Sequence, residues 1–169
     1  MNFIKCNLTH LDELIEIGRQ TYYDTFHKSN DEAVILKYLD KSFEIQKIKA
    51  ELVSKTSSYY FLYDKGKVVA YIKINFAPTQ TDLNQKDTLE LERIYVKKDY
   101  KGFGYGTILI NKVLFIASEC ECTYVWLGVW EGNIKALEFY QKLGFKIFDK
   151  HIFKMGDTVD TDFLLKKYL

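Results

Sequence analysis

The chain has 169 residues, 47% hydrophobic and 16% aromatic, with a formal net charge of +1. That content excludes a disordered chain, and the near-neutral balance gives no general reason to expect a nucleic-acid partner. The length suits a single domain, residues 1–169, with a substantial core.

Taken in chain order, the patterning alternates between strand and helix. A short strand is expected near Asn2 to Lys5, then a helix from about Thr9 to Phe26, where Leu11, Leu14, Ile15 and Gly18 recur at helical spacing. Two further helices are expected from Asp31 to about Asp40 and from Phe43 to Val53, with Asp31 and Ser42 as N-caps. Tyr59 to Tyr63, Lys65-Gly66 and Val68 to Phe76 read as strand, tight turn and strand. Ala77 to Asp87 is polar, carries Pro78 and reads as a loop. Then come a strand (Leu89 to Val96), a helix (Thr107 to Cys120), a strand (Thr123 to Trp130), a helix (Asn133 to Leu143) and a strand (Phe145 to Phe153). Gly156-Asp157 marks a turn, and Thr161 to Lys166 a last strand. The fold class is therefore mixed α/β. No apolar run reaches the roughly 20 residues of a membrane span. Nor does a basic-then-apolar signal segment open the chain, so a cytoplasmic location without membrane contact is expected.

The cysteines carry little. Cys6, Cys120 and Cys122 are odd in number, and Cys120-x-Cys122 lacks the spacing of a common zinc or redox pair. They read as structural or incidental thiols, and no metal site is expected.

The stretch Lys101-Gly102-Phe103-Gly104-Tyr105-Gly106-Thr107 lies between the Leu89 strand and the Thr107 helix. Alternate glycines let a backbone turn tightly and aim several N–H groups at one point, where the helix adds its own unpaired N–H groups and positive dipole end. Such a place suits a phosphate or pyrophosphate. The dinucleotide spacing G-x-G-x-x-G is absent, and no lysine precedes Thr107 as a P-loop requires. A plain flexible turn is the competing reading of the glycines alone.

Context adds to them. Upstream stands Leu91-Glu92-Arg93-Ile94-Tyr95-Val96; downstream stand Trp130-Glu131-Gly132-Asn133, Ala136, Phe139-Tyr140 and Gly144-Phe145. Together these resemble the GCN5-related N-acetyltransferases, the GNAT family, from about Leu89 to Phe148. In that family an Arg/Gln-x-x-Gly-x-Gly/Ala loop holds the pyrophosphate of acetyl-coenzyme A. Here Lys101 replaces the arginine or glutamine, which keeps a cation but loses planar, bidentate geometry. The resemblance implies a largely antiparallel, twisted sheet of about seven strands, splayed at the acetyl-CoA site, with helices on both faces. It implies that pantetheine pairs with backbone groups of Ile94, Tyr95 and Val96, whose side chains can at the same time be core. It also implies cofactor contacts at Lys101, Gly102, Phe103, Gly104, Tyr105, Gly106, Thr107, Asn133, Ala136 and Tyr140. Many members dimerise, so a homodimer is compatible with it.

Asn133, Leu137 and Tyr140 share one helix face. Asn133 either caps its helix or binds the ligand amide, and Tyr140 is either a core ring or a functional phenol. Acetyl transfer from a thioester needs a neutral amine and an outlet for the leaving thiolate. A phenol, with an unperturbed pKa of about 10, can supply that proton. Tyr140 is accordingly the candidate acid. Glu92 is the candidate base, acting through water, with pairing to Arg93 or a lysine as its structural alternative. His151 is a lesser candidate. No activated Cys or Ser beside a base is visible, so direct attack in a ternary complex is expected rather than a covalent acetyl-enzyme.

Thr21-Tyr22-Tyr23-Asp24-Thr25-Phe26, Tyr38-Leu39 and the tail His151-x-Phe153-x-Met155-Gly156-Asp157 with Thr161-Asp162 are similar to the PaiA-like branch, associated with spermidine and spermine. A polycation would find carboxylates at Asp24, Asp31, Glu32, Asp157, Asp160 and Asp162, and rings at Tyr22 and Tyr23. Tyr22, Asp24, Glu92 and Trp130 are the expected acceptor-binding residues. The competing acceptors are a protein N-terminus, a lysine side chain, an amino acid or an aminoglycoside. A non-catalytic acyl-CoA sensor is the competing class.

Overall fold

The computed structural model describes residues 1–155 and 158–169, with the side chains of 153–160 left aside. The Gly156-Asp157 turn and the side chains of Phe153, Met155 and Asp160 therefore lie outside the described residues. In chain order the elements are β1 (Asn2–Lys5), α1 (Leu11–Phe26), α2 (Glu32–Ser42), α3 (Ile45–Leu52), β2 (Ser57–Asp64), β3 (Lys67–Asn75), β4 (Thr88–Val96), α4 (Tyr105–Glu119), β5 (Tyr124–Trp130), α5 (Ile134–Lys142), β6 (Lys146–Met155) and β7 (Thr158–Tyr168). Single 3-10 turns precede α1 and α4, at Leu8–His10 and Lys98–Tyr100.

The strands form one seven-stranded sheet in the order β1-β2-β3-β4-β5-β7-β6. β4 and β5 run parallel, as the α4 crossover between them requires, whereas β5–β7 and β6–β7 are antiparallel. β3 is buried on both faces from Val68 to Asn75, which explains its near-continuous apolar run.

The chain sorts into two compact units. The first comprises 1–74 and 93–109, the second 75–92 and 110–169. In the first, Leu14, Ile17, Ile35, Leu39, Ile48 and Phe61 form the core on which α1, α2 and α3 pack. Two buried cations are accommodated there. Lys73 Nζ lies 2.9 Å from a Glu51 carboxylate oxygen, and the Arg93 guanidinium lies 4.4 Å from the Phe43 ring centre. In the second unit, Tyr124, Trp126 and Leu164 form a smaller cluster, with Leu83 and Phe148 packed against it.

Caps explain the helix starts. Asp31 accepts from the Ala33 N–H and opens α2, as expected. For α3 the expected Ser42 cap is corrected: Ser42 is the buried last residue of α2, and Glu44 accepts from the N–H groups of Gln46 and Lys47.

Candidate active site

The glycine loop belongs to the first unit. The Lys97 N–H donates to Val69 C=O at 2.9 Å, which carries the alignment of β4 to its end. The chain then winds through the 3-10 turn, closed by Tyr100 N–H to Lys97 C=O and Lys101 N–H to Lys98 C=O. Gly102 and Gly104 follow at φ +87° and +83°, a left-handed conformation that disfavours any side chain. Gly106 already lies within α4 and takes no such turn. The Ile108 N–H donates to Gly104 C=O at 3.2 Å, and the preceding N–H groups of Tyr105, Gly106 and Thr107 have no acceptor earlier in the helix. Nothing lies within 4 Å of where a Cβ would sit on Gly102 or Gly104, and Phe103 between them is 74% exposed. The loop thus offers bare backbone donors at a helix start, a cradle that fits a pyrophosphate.

Neighbouring side chains fix this loop rather than fill it. The Tyr105 hydroxyl donates to Asp64 at 2.6 Å, tying the first turn of α4 to the end of β2. Lys101 Nζ lies 3.4 Å from the Thr25 hydroxyl. Ile94, Tyr95 and Val96 are half-buried on β4. The Tyr95 ring stacks on Tyr71 at 5.7 Å and lies 6.3 Å from Tyr22, which stacks on Tyr38 at 4.4 Å. Burial holds the Tyr95 and Tyr71 phenols well above the ordinary range. Tyr22 is therefore part of a tyrosine stack, while Asp24 accepts from the Gln20 amide at 3.0 Å.

The second unit contains a group of which sequence reasoning found only Glu92. Alternation along β4 puts Glu90 and Glu92 on one face. The single amide nitrogen of Asn75 donates to both, at 2.8 Å to Glu90 and 2.6 Å to Glu92. Glu90 is buried and also accepts from the Thr81 N–H, at 2.9 Å, and from the Thr81 hydroxyl. Burial pushes its carboxyl above the ordinary value, and the Asn75 and Thr81 donors pull back against that. Glu92 is half-buried. The Glu-x-Glu alternation was the only signal in the sequence; Asn75 and Thr81 gave none.

On α5, Asn133 is the N-cap, its side chain accepting from the Ala136 N–H at 3.3 Å, so the capping role is realised. Tyr140 is buried, and its ring meets Phe139 and Phe145 edge-on at 5.2 and 5.8 Å. Burial alone raises its phenol, which keeps it protonated at neutral pH. The Trp130 ring occupies the space beside Gly132, where a Cβ would come within 2.5 Å of it. His151 Nδ1 lies 2.6 Å from Asp82 of the loop before β4. Two thiols are unsuited to nucleophilic work: burial pushes Cys6 up to about 12 and raises Cys122 as well.

A cradle of backbone donors at a helix start, following a strand of a mixed sheet with a parallel crossover, is what a cofactor carrying a pyrophosphate requires. The comparisons agree. The family model described as the acetyltransferase (GNAT) family matches residues 11–145, and the chain belongs to that family. It is 38% identical over 159 residues to an uncharacterized N-acetyltransferase of Lactobacillus delbrueckii subsp. lactis, covering 94% of this chain and 92% of that protein. It is 25% identical over 107 residues to the spermine/spermidine N(1)-acetyltransferase of Bacillus subtilis, covering 60% of this chain and 70% of that one. Its fold is similar to the PaiA N-acetyltransferase of Thermoplasma acidophilum, crystallised with coenzyme A, at a TM-score of 0.81, 20% identity and full coverage of both chains. The protein is an acetyl-CoA-dependent N-acetyltransferase. Among the described residues, no helix is long and apolar enough to cross a membrane.

Proposed function

We propose that the acceptor is a polyamine of the spermidine type, acetylated on a primary amine by direct attack on acetyl-CoA. The observation that carries this reading is Glu92 on β4, a half-buried carboxylate oriented by the Asn75 amide that also holds the buried Glu90. A carboxylate at the acceptor side attracts a cationic amine and can then take its proton. The similarity to a spermine/spermidine acetyltransferase supports the same substrate class.

In this reading the backbone from Gly102 to Thr107, with Lys101, Phe103 and Tyr105 framing it, holds the pyrophosphate. Backbone groups of Ile94, Tyr95 and Val96 pair with pantetheine, and Asn133 and Ala136 contact the same ligand from the start of α5. Glu92 accepts a proton from the ammonium through water and frees the nitrogen lone pair. The nitrogen attacks the thioester carbonyl carbon, and a C–N bond forms as the carbonyl π electrons move to oxygen. Their return breaks the C–S bond. Tyr140 donates its proton to the departing thiolate, the newly acylated nitrogen releases its second proton to water, and a proton from water restores the Tyr140 phenol. Tyr22, Asp24 and Trp130 contribute to acceptor binding. The raised thiols of Cys6 and Cys122 favour this ternary route over an acetyl-enzyme.

The test is thiol release from acetyl-CoA with spermidine or spermine, against lysine, amino-acid, aminoglycoside and no-amine controls. Saturable release with the polyamines is expected. Release confined to another amine class would overturn the polyamine reading, and tight CoA binding without release to any amine would favour a sensor.

A further inference from the structure

β5 reads Tyr124-Val125-Trp126-Leu127-Gly128-Val129-Trp130, and alternation places Tyr124, Trp126, Gly128 and Trp130 on one face. Tyr124 and Trp126 are buried, yet Gly128, in the middle of the strand, is exposed. A glycine inside a strand is destabilising relative to alanine, because it gives up more backbone freedom and offers no side chain to pack. Among the described residues, nothing demands it. A Cβ at Gly128 would meet Leu164 Cδ2 at 3.7 Å and Asp162 Oδ2 at 3.8 Å, both ordinary contact distances. Interior strand glycines of this kind often mark where a ligand approaches the backbone closely.

The surroundings say which ligand. Glu90 pairs with Trp126, the last β4–β5 pair among the described residues; one alternation step further, Glu92 and Gly128 lie on the same face. On the other side Gly128 pairs with Leu164, and Trp130 with Asp162, which pairs in turn with His151. His151 holds Asp82 at 2.6 Å. Among the described residues, the titratable groups brought to this face around Gly128 include Glu90, Glu92, Asp162 and His151, with Asp82 held by His151. Lys166, further along β7, is turned among the rings of Phe148, Tyr124 and Tyr168, at 4.7, 5.1 and 5.1 Å.

We propose that Gly128 is the specificity-determining position of the acceptor. An unbranched alkyl polyamine crosses its bare backbone, with the reacting nitrogen at Glu92 and a second ammonium toward Asp162. This rests on the acceptor reading above. Any side chain at 128 would cover that exposed backbone, and an acceptor with a carboxylate beside its amine would meet Glu92 and Asp162 with the wrong sign.

The chain's only two tryptophans, Trp126 and Trp130, flank Gly128, so their fluorescence reports occupancy without any turnover. Spermidine should change it saturably in the parent protein. Gly128→Ala should raise the spermidine KM and Gly128→Val should raise it by about tenfold or more, a difference of about 1.4 kcal/mol. The KM for acetyl-CoA should not rise with it, and the unfolding midpoint should not fall. Asp162→Asn should raise the KM for spermidine more than that for 1-aminobutane. A fluorescence response abolished by Gly128→Val, in a protein that releases no thiol, would uphold the inference while defeating the catalytic reading. Parental spermidine KM in both Gly128 variants, or no fluorescence response in the parent, would overturn the inference itself.

Discussion

Replacing Gly104 by alanine isolates the backbone contribution to cofactor binding. Gly104 stands at φ +83° with nothing within 4 Å of a prospective Cβ, so the substitution adds no clash. What remains is the strain of a side chain in the left-handed region, about 1–2 kcal/mol. The protein can respond in two ways. If the loop keeps its path, the strain appears as lost stability. If the loop relaxes to negative φ, stability recovers, but the N–H groups of Tyr105 to Thr107 turn from the pyrophosphate and the loss appears in affinity, about five- to thirty-fold. Urea unfolding and calorimetric titration with coenzyme A should therefore divide about 1–2 kcal/mol between them. Gly104→Asn should lose less, because asparagine tolerates this conformation better. Gly18→Ala is the contrast: there a Cβ would come within 2.1 Å of the Phe43 ring, so the loss should fall on stability alone. Parental stability and parental CoA affinity together in Gly104→Ala would refute the reasoning.

Two further outcomes follow from buried groups of the second unit. Tyr140→Phe keeps the ring between Phe139 and Phe145 and should leave the unfolding midpoint near the parent value, while kcat with chemistry rate-limiting falls about 10²-fold or more; unchanged kcat would remove Tyr140 from the proton path. Glu90, whose carboxyl is raised by burial, should make the folded state less stable as pH rises. Below the ordinary glutamate range the group is protonated whether folded or not; above it the unfolded chain loses a proton that the folded chain still holds, and the penalty grows until Glu90 ionises in place. Denaturant unfolding from about pH 4 to about pH 8 should show the difference between Glu90→Gln and parent shifting toward the variant as pH rises. A difference that is flat, or shifts the other way, would contradict the raised carboxyl.

The strand–loop–helix–strand passage from β4 to β5 was legible because each step had a local signal: an apolar run, alternate glycines, then helical periodicity. Within that loop the alternate glycines Gly102 and Gly104 turn left-handed, whereas Gly106 serves as an ordinary helical residue. The α3 boundary misled because Ser42 has the chemistry of a cap but is used as the buried end of α2, and a glutamate two residues later does the capping. Asn75 and Thr81 were invisible for a different reason. Asn75 closes an apolar strand and Thr81 sits in a polar loop, and only the sheet brings both to Glu90, 15 and 9 residues further on. Hydrogen-bond partnerships across such separations leave no periodicity to read.

The same partnership explains why two glutamates a step apart on β4 take different roles. Glu90 is buried at 2% exposure with donors from Asn75 and Thr81 on both oxygens, so a proton reaching it has no open route to water. Glu92 is half-buried and shares the Asn75 amide, which orients its carboxylate without enclosing it. Carboxylates placed in unlike environments divide the work of a site between them. Glu90 is the anchor: it fixes Asn75 from below, and the loop carrying Thr81 from the side. In the proposed reading Glu92 is then the member of the pair that exchanges protons, oriented by the Asn75 amide on the same face as Gly128. On that proposal an acceptor nitrogen would meet one positioned carboxylate rather than two mobile ones, which favours loss of its proton before the carbon–nitrogen bond forms.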